Sequence, residues 1–431
     1  MLDYFLKKAV GPLGIKLGNI GLGFAVTVAL ANILNSHEFG VYSYAFSVAA
    51  LLSIPAKFGL QKLIVRETSK ANVHNNWALI KGLWQWAFLT VIALSLLSSA
   101  IYLGVIFLLD PDKRSLYSEV WGYAVWFIPL MAIASIRVGV LVGLRQIWKA
   151  HFPEQIIRPL IFLVALFVCL HVYSPVNAKE AIFSHLLAWF VVFLIGLVLL
   201  KNECPREIKE VKKVSYQYSY WIKSVIPLGL TSIMFQINTY ADIFLLGYWV
   251  SPDKIGDYRI AVQFALLMAI GMQVVEMFMS PIIAKLYAEE KLEKLKRLVS
   301  ISSAMSFMLA LVVYVFLWLF GELLIEKIFT EEYRGAFAIL MILGIGQILS
   351  ALFGSQGPLA AMTGNEKSAA KCLMMSAVLN IVLNLIFIPM LGVVGAAYAT
   401  AISMAFKNLF LWLVLLRATG INSMALVNIK G

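Results

Sequence analysis

Charged side chains are scarce in this 431-residue chain, where they make up 13% of the residues, against roughly 25% in an ordinary soluble domain. Cysteine is rarer still, since there are three and no two of them belong to an evident extracellular disulfide framework. The five histidines lack the spacing of metal ligands, and there is no phosphate-binding glycine loop and no nucleophile motif. The sequence therefore predicts no catalytic residue, no metal site and no cofactor.

Hydrophobic residues make up 61% of the chain, and apolar runs recur along its whole length. Many of them approach or exceed the roughly 20 residues that a helix needs to cross a bilayer. The first run has no small-residue cleavage site, so we interpret it as a retained helix. The predicted spans are residues 10–34, 39–60, 84–109, 119–144, 156–173, 180–200, 222–250, 256–284, 299–320, 336–361, 372–391 and 393–417. They indicate an all-α polytopic membrane protein of about twelve transmembrane helices.

The basic residues are distributed unevenly between the two sides of these spans. A net charge of +12 could indicate a nucleic-acid partner, but excess Lys and Arg in a membrane protein mark its cytoplasmic loops. Of the 35 Lys and Arg residues, 23 lie in or beside the segments of one side, 6 in those of the other, and 6 inside spans. We therefore predict a multi-pass protein of the inner (plasma) membrane with both termini cytoplasmic, in contact with membrane lipids and without a nucleic-acid partner.

An internal repeat divides the chain into halves. Residues 40–45 (GVYSYA) align with residues 256–261 (GDYRIA) at an offset of 216, about half the chain. Six helices per half would put both copies in the same orientation, as in parallel-repeat transporters. The predicted domains are an N-terminal six-helix bundle at 1–200, a basic cytoplasmic linker at 201–221, a C-terminal six-helix bundle at 222–417 and a cytoplasmic tail at 418–431.

Charges inside the spans are functional candidates, because each costs at least about 2.5–3.5 kcal/mol at mid-depth unless it meets a partner or water. The acids well inside spans are Asp242 and Glu276. The cations outnumber them by six to two, and they are Lys16, Lys57, Arg137, Lys223, Arg259 and Lys407. Lys57, Lys223 and Arg259 lie near enough to helix ends to reach the headgroups. The predicted interior is therefore net cationic.

Three of these cations, Lys16, Arg137 and Lys407, lie roughly 12–15 Å inside the nearest helix end, so we expect them to face a cavity. Arg suits phosphate best, because its planar guanidinium binds two oxygens at once. The predicted substrate-binding cations are Lys16, Arg137, Arg259 and Lys407. For Asp242 and Glu276 the sequence leaves two roles open, as structural partners of cations or as ion-coupling groups.

Several motifs resemble those of one transporter family. The most specific match is residues 379–389 (LNIVLNLIFIP), continued by residues 392–403 (GVVGAAYATAIS). Shorter matches are residues 38–43 (EFGVYS), 240–247 (YADIFLLG) and 286–288 (LYA). Because these matches span nearly the whole chain, it resembles the O-antigen flippases, which are polysaccharide transporters of the multidrug, oligosaccharidyl-lipid and polysaccharide (MOP) exporter superfamily.

The resemblance implies two pseudo-symmetric six-helix bundles around a central cavity, with an undecaprenyl-diphosphate-linked oligosaccharide as cargo. Asp242 falls on the aspartate that the family usually carries in this helix. The expected function is therefore a flippase that carries an O-antigen repeat unit from the cytoplasmic to the periplasmic leaflet by alternating access. A proton or another cation is the expected counter-ion, and other O-antigen assembly proteins are the expected partners.

Two other functions compete with this one. A multidrug or cation antiporter of the same superfamily would favour an acidic cavity, which the excess of cations argues against. A membrane polysaccharide polymerase or ligase normally needs a sizeable periplasmic loop. The longest predicted outer loop, residues 321–335, is more simply a solvated short helix. We therefore expect a transporter and not an enzyme.

Overall fold

The computed structural model describes residues 2–108, 120–173, 175–354 and 356–425. Every regular element within these ranges is a helix. Eleven helical segments of the described chain are long and apolar enough to cross a membrane. The prediction of an all-α polytopic membrane protein is thus confirmed. Residues 426–431, which end the predicted tail at 418–431, lie outside the described residues.

The contacts divide the chain into two compact units, residues 1–240 and 241–431, which we call unit 1 and unit 2. The helices of unit 1 are α1 (Leu2–Ile33), α2 (Ser36–Leu52), α3 (Ile54–Lys57), α4 (Leu60–Val73), α5 (Trp77–Leu108), α6 (Phe127–Gly143), α7 (Ile147–Phe152), α8 (Arg158–Val172), α9 (Ala178–Glu203) and α10 (Arg206–Glu210). A π-helical turn, Pro153–Ile157, joins α7 to α8. Within the unit, α4 packs on α6, and α9 packs on α8.

Helix α11 (Tyr218–Trp249) runs across the division between the units. The following elements are α12 (Pro252–Ala288), α13 (Leu292–Phe329), a 3-10 turn (Glu331–Tyr333), α14 (Ala336–Phe353), α15 (Gln356–Met362), α16 (Glu366–Leu391) and α17 (Val393–Thr419). In unit 2, α17 packs on α14 and α16, while α12 packs on α13 and α14. The predicted domain boundary at the linker 201–221 stays a prediction.

Helix α11 corresponds to the predicted seventh span but is not among the eleven apolar segments of the described chain. Its 32 residues would extend about 48 Å at 1.5 Å per residue, which is long enough to cross a bilayer. It contains two charged residues, Lys223 and Asp242. The predicted number of about twelve spans therefore corresponds to these eleven segments and α11.

Large apolar side chains face outward, while small polar ones line the helix contacts. On α13, Val312 and Trp318 are 61% and 60% exposed, whereas Ser303 and Ser306 are buried. Lipid tails solvate large apolar side chains, and small residues let helix backbones approach closely. The Ser303 hydroxyl donates to the carbonyl of Val299 at 2.8 Å, which keeps its polar atom satisfied. This arrangement is typical of a protein whose solvent is lipid.

The start of α4 depends on a glycine. Gly59 has a φ of +67°, in the left-handed region that a side chain disfavours. A Cβ at Gly59 would also collide with the backbone of Gly229 in α11. Gly229 is in turn covered by the ring of Phe58, whose Cδ1 would lie 2.8 Å from a Cβ added there. The two glycines therefore allow α11 to lie directly against the corner between α3 and α4.

Replacing Gly59 by Ala should lower the free energy of unfolding by roughly 1–3 kcal/mol, because the new Cβ adds left-handed backbone strain and overpacking. Thermal unfolding of the purified protein in detergent measures the change. The matched control is Gly104→Ala in α5, where an added Cβ meets nothing within 4 Å. That variant should be as stable as the wild type, and an equally stable Gly59→Ala would contradict the close approach.

Candidate functional site

In unit 2, Asp242 of α11 lies at the centre of a buried polar cluster and is 6% exposed. Its carboxylate accepts hydrogen bonds from Tyr258 Oη at 2.7 Å, Thr400 Oγ1 at 2.6 Å and Asn384 Nδ2 at 2.8 Å. These donors come from α12, α17 and α16. Such charge-assisted hydrogen bonds offset part of the cost of taking a carboxylate out of water. Asp242 thus joins three helices to α11.

The same cluster contains oxygen atoms that have no donor. Asn380 lies one turn before Asn384 on α16, and its Nδ2 donates to Thr400 Oγ1 at 3.4 Å. The Oδ1 atoms of Asn380 and Asn384 are buried and have no hydrogen-bond partner. Buried amide oxygens without a donor need an explanation, and amide and carboxylate oxygens are the ligand types that hard cations prefer. We call Asp242, Tyr258, Asn380, Asn384 and Thr400 the oxygen cluster.

A separate charged pair lies in the same unit. Lys407 of α17 and Glu276 of α12 lie near enough for direct electrostatic attraction, and both side chains are half-buried. Arg259, which follows Tyr258 on α12, is also half-buried. Glu276 therefore has a cationic neighbour, whereas the groups that donate to Asp242 are neutral. Asp242 and Glu276, for which the sequence predicts the same two roles, therefore have different surroundings in the structure.

In unit 1, Arg137 of α6 is paired with an acid that the sequence does not single out. Its Nη2 donates to Glu154 Oε1 at 2.5 Å, with the side chains of Arg137 and Glu154 exposed by 6% and 21%. The Nε and Nη1 atoms of Arg137 are buried without an acceptor. Because a guanidinium has five N–H donors, the bond to Glu154 satisfies only part of the hydrogen-bonding capacity of Arg137.

Glu154 is positioned by the π-helical turn Pro153–Ile157. In a regular α-helix, the ring of Pro159 would clash with the carbonyl four residues before it. Here the amide of Arg158 donates to the carbonyl of Pro153, five residues back, which is the wider hydrogen-bond pattern of a π-helix. Turns of this type recur at functional sites. The turn brings the side chain of Glu154 to Arg137.

Two further cations lie within electrostatic reach of the Glu154 carboxylate. Lys57, at the end of α3, and Arg158, at the start of α8, both lie near enough to attract it electrostatically. The sequence allows Lys57 to reach the headgroups, whereas the structure places it half-buried in this group. We call Lys57, Arg137, Glu154 and Arg158 the charge cluster. It carries three positive charges and one negative charge.

Arg158 connects the charge cluster to a buried histidine. Its Nη1 donates to His185 Nε2 at 3.0 Å. Since arginine cannot accept a hydrogen bond, Nε2 is the unprotonated nitrogen, and the Nδ1–H of His185 donates to Tyr42 Oη at 2.8 Å. The imidazole stacks on Phe162 with 4.3 Å between centroids, and the Arg158 guanidinium lies 4.7 Å from the Trp189 ring centroid. The hydrogen bond from Arg158 thus leaves the Nδ1–H of His185 to donate to Tyr42.

The predicted internal repeat aligns one buried tyrosine of each unit. Tyr42 on α2 and Tyr258 on α12 occupy the same position of the repeat, and each is buried. The Tyr42 hydroxyl bonds to His185, whereas the Tyr258 hydroxyl donates to Asp242. The two copies thus keep the tyrosine and differ in the ionisable group that it contacts.

The predicted substrate-binding cations have different surroundings. Lys16 is exposed on α1, whereas Gly18 of that helix packs against the π turn, where a Cβ would lie 2.7 Å from Ile156 Cδ1. Arg137 belongs to the charge cluster of unit 1. Arg259 and Lys407 belong to unit 2, and Lys407 lies near Glu276. The assignment of all four cations to the substrate stays a prediction.

The sequence does not single out Glu154, Arg158 or His185. The predicted fifth span begins at residue 156, so Glu154 falls outside it and Arg158 counts as a flanking cation. In the structure this span is Ile147–Val172. The predicted and observed starts of this span differ at Pro153 and Pro159. Proline normally marks the start of a helix, whereas in the structure the π turn continues the helix past Pro153. His185 and Tyr42 are 143 residues apart, so no local spacing could reveal their contact.

Known proteins share this arrangement of helices. A multidrug-resistance MATE family transporter of the MOP superfamily has a TM-score of 0.78 at 14% identity, covering 96% of this chain and 98% of that one. The lipid II flippase MurJ has a TM-score of 0.71 at 16% identity, covering 93% and 86%. The chain therefore has the same fold as these two proteins. Residues 227–386 also match the MatE family model.

The family follows from the sequence match. Residues 5–287, more than half of the chain, match the family model described as "Polysaccharide biosynthesis protein", so the chain belongs to this family and is a multi-pass membrane protein. The resemblance to polysaccharide transporters is thereby confirmed.

Two relatives match over most of the chain. The "Probable low-salt glycan biosynthesis flippase Agl15" of Haloferax volcanii is 24% identical over 387 residues, 89% of this chain and 78% of that protein. The uncharacterized membrane protein MJ1068 of Methanocaldococcus jannaschii is 20% identical over 422 residues, 93% of this chain and 79% of that protein. Each match extends through both units.

Replacing Thr400 by Val should destabilise the protein by roughly 1–2 kcal/mol, because Asp242 loses a charge-assisted hydrogen bond inside a membrane protein. Thermal unfolding in detergent measures the loss. Thr239→Val is the matched control, since that exposed hydroxyl donates only to the carbonyl of Phe235 in its own helix. Equal unfolding temperatures for the two variants would show that the oxygen cluster contributes little to stability.

Proposed function

We propose that this protein is a flippase that carries a lipid-linked oligosaccharide across the membrane by alternating access. The cargo is an O-antigen repeat unit on undecaprenyl diphosphate, which moves from the cytoplasmic to the periplasmic leaflet of the inner membrane. Membership of the polysaccharide biosynthesis family and the likeness to a relative named as a glycan biosynthesis flippase support this proposal. Other proteins of O-antigen assembly would supply and receive the cargo.

The observation that carries the proposal is the excess of positive charge inside the spans. In unit 1, Lys57, Arg137 and Arg158 surround the single carboxylate of Glu154. A diphosphate is a multiply charged anion that guanidinium and ammonium groups bind strongly. Positive charge of this kind is costly in a membrane, so its retention fits a cargo that carries phosphate.

The proposed roles follow from the chemistry of each side chain. Lys16, Arg137, Arg259 and Lys407 would hold the diphosphate at successive stages of transport. The hydrophilic glycan would follow it through the protein while the lipid tail stays in the bilayer. No covalent bond is made or broken in this cycle, so the protein acts as a transporter and not as an enzyme.

The oxygen cluster of unit 2 is the proposed ion-coupling site. Asp242 supplies a carboxylate, and Asn380 and Asn384 supply buried amide oxygens that have no donor. Hard cations bind such oxygen sets, and the same carboxylate could take up a proton instead. Glu276 is the less suitable coupling group of the two, because Lys407 already lies near it.

Two rival functions are less well supported. A drug and cation antiporter would share the fold of the MATE family transporter, but its cationic substrates would be repelled by the charge cluster. A polymerase or ligase would need an active site in the predicted outer loop 321–335. Helix α13 continues to Phe329 through most of this segment, and Glu326 there is paired with Arg334.

Replacing Arg137 by Ala should reduce surface O-antigen by about tenfold or more. One charge-assisted hydrogen bond contributes about 1.5–3 kcal/mol, and about 1.4 kcal/mol already changes a rate tenfold. Lys407→Ala should act in the same direction. The measurement is O-antigen display in a flippase-null strain that produces each variant at the same protein level.

The control for this experiment is Lys149→Ala, which removes a partly exposed ion pair with Glu203 and should leave display normal. Normal display in Arg137→Ala or Lys407→Ala would remove that residue from the mechanism. Drug resistance on overproduction, with no change in surface glycan, would instead support the antiporter.

Sodium chloride should raise the unfolding temperature of the purified protein more than choline chloride at equal ionic strength, and Asp242→Asn should abolish the difference. The reason is that the substitution removes the only carboxylate of the oxygen cluster. Asp257→Asn is the control, because this buried acid of α12 interacts with Lys254 at 3.4 Å and lies outside the cluster. If the two salts act equally and Asp242→Asn stops transport, the coupling ion is a proton. If transport continues, Asp242 is not a coupling group.

A further inference from the structure

The charge cluster of unit 1 is only partly neutralised. The Glu154 carboxylate lies 2.5 Å from Arg137 Nη2, and Lys57 and Arg158 are within electrostatic reach of it. Three positive charges therefore share one negative charge. In a low-dielectric interior, the excess is costly, because apolar side chains cannot replace the water that the cations have lost. The imbalance favours the binding of a further anion.

Arg137 has hydrogen-bond donors to offer to such an anion. It is 6% exposed, and its Nε and Nη1 have no acceptor. Gly196 of α9 lies so close that a Cβ there would be 2.7 Å from Nε, so α9 brings no side-chain acceptor at this point. A buried donor without a partner is costly, more so when it is charged. A phosphate offers several acceptor oxygens in the geometry that a guanidinium binds bidentately.

Glu154 has the features of a group that can exchange with a ligand. Its side chain is 21% exposed, whereas that of its partner Arg137 is 6% exposed. It also lies on the π-helical turn Pro153–Ile157, an irregular backbone type that recurs at functional sites. A phosphate that binds the guanidinium bidentately must use Nη2 together with Nε or Nη1, so it would compete with the Glu154 carboxylate for that edge and would also repel its negative charge.

We propose that Glu154 is a resident counter-ion that a phosphate of the cargo displaces from Arg137, and that Lys57 and Arg158 complete the phosphate site. This inference rests on the proposed function, since it names the residues of unit 1 that hold the diphosphate and the group that controls its release. Glu154 stabilises the empty site. Its return to Arg137 weakens the hold on the phosphate and promotes release.

The test measures the binding of farnesyl diphosphate, a short isoprenyl diphosphate, to the purified full-length protein in nanodiscs. Glu154→Gln keeps the shape of the side chain and removes the competing charge, so the Kd should fall by about tenfold, which corresponds to about 1.4 kcal/mol. Farnesol, which lacks the phosphates, should show no such change. Glu203→Gln is the matched control, because it alters the ion pair with Lys149 in the same unit, and it should bind like the wild type.

A second variant tests the site independently of Glu154. Lys57→Met keeps the Arg137–Glu154 pair and removes one of the cations, so the Kd for farnesyl diphosphate should rise by about tenfold. This variant remains informative if Glu154→Gln does not fold. An unchanged Kd in Lys57→Met, or an unchanged or higher Kd in a folded Glu154→Gln, overturns the inference.

Surface O-antigen separates this inference from the proposed function. We expect Glu154→Gln to bind farnesyl diphosphate more tightly and yet to display less O-antigen, because release becomes slower. If its binding and display both equal those of the wild type, the inference is wrong while the proposed function stands. If the wild type itself fails to restore O-antigen in flippase-null strains, the proposed function and the inference both fall.

Discussion

A charge or polar group that leaves water must find a partner inside the protein, and in this chain that requirement determines which helices are joined. Arg137 joins α6 to the turn that carries Glu154. Asp242 draws donors to α11 from three other helices of its cluster. Apolar side chains could not enforce these contacts, because lipid tails solvate them as well as a neighbouring helix does. The polar contacts therefore determine which helices pack together and in which register, while the apolar outer surface makes the protein soluble in lipid.

The same requirement accounts for the two kinds of site. The charge cluster has more positive charge than Glu154 can neutralise, so it favours an anion. The oxygen cluster around Asp242 has buried acceptors without donors, so it favours a cation. In the proposed mechanism, the charge cluster of unit 1 would take the anionic cargo and the oxygen cluster of unit 2 the cationic counter-ion.

The two positions aligned by the predicted repeat have different polar partners. Tyr42 and Tyr258 occupy the same position of the repeat and bond to different ionisable groups, His185 and Asp242. Arg158 supports His185 in unit 1, whereas Asn384 supports Asp242 in unit 2. Each half has a buried tyrosine hydroxyl at this position. The neighbouring residues make its surroundings cationic in unit 1 and rich in oxygen atoms in unit 2.

Span length and apolar composition are local properties of the chain, so the amino-acid sequence was enough to predict the membrane as solvent and the all-α fold class. It also singled out Arg137, Lys407, Asp242 and Glu276 as charged residues within predicted spans, since a charge in an apolar run can be recognised without knowledge of its neighbours in space. The partners of these charges are known only from the packing of the helices. The π turn that brings Glu154 to Arg137 depends on how prolines are accommodated within a helix, and the contact of His185 with Tyr42 joins segments far apart in the chain. Partnership is a property of three-dimensional packing, and no local pattern of residues encodes it.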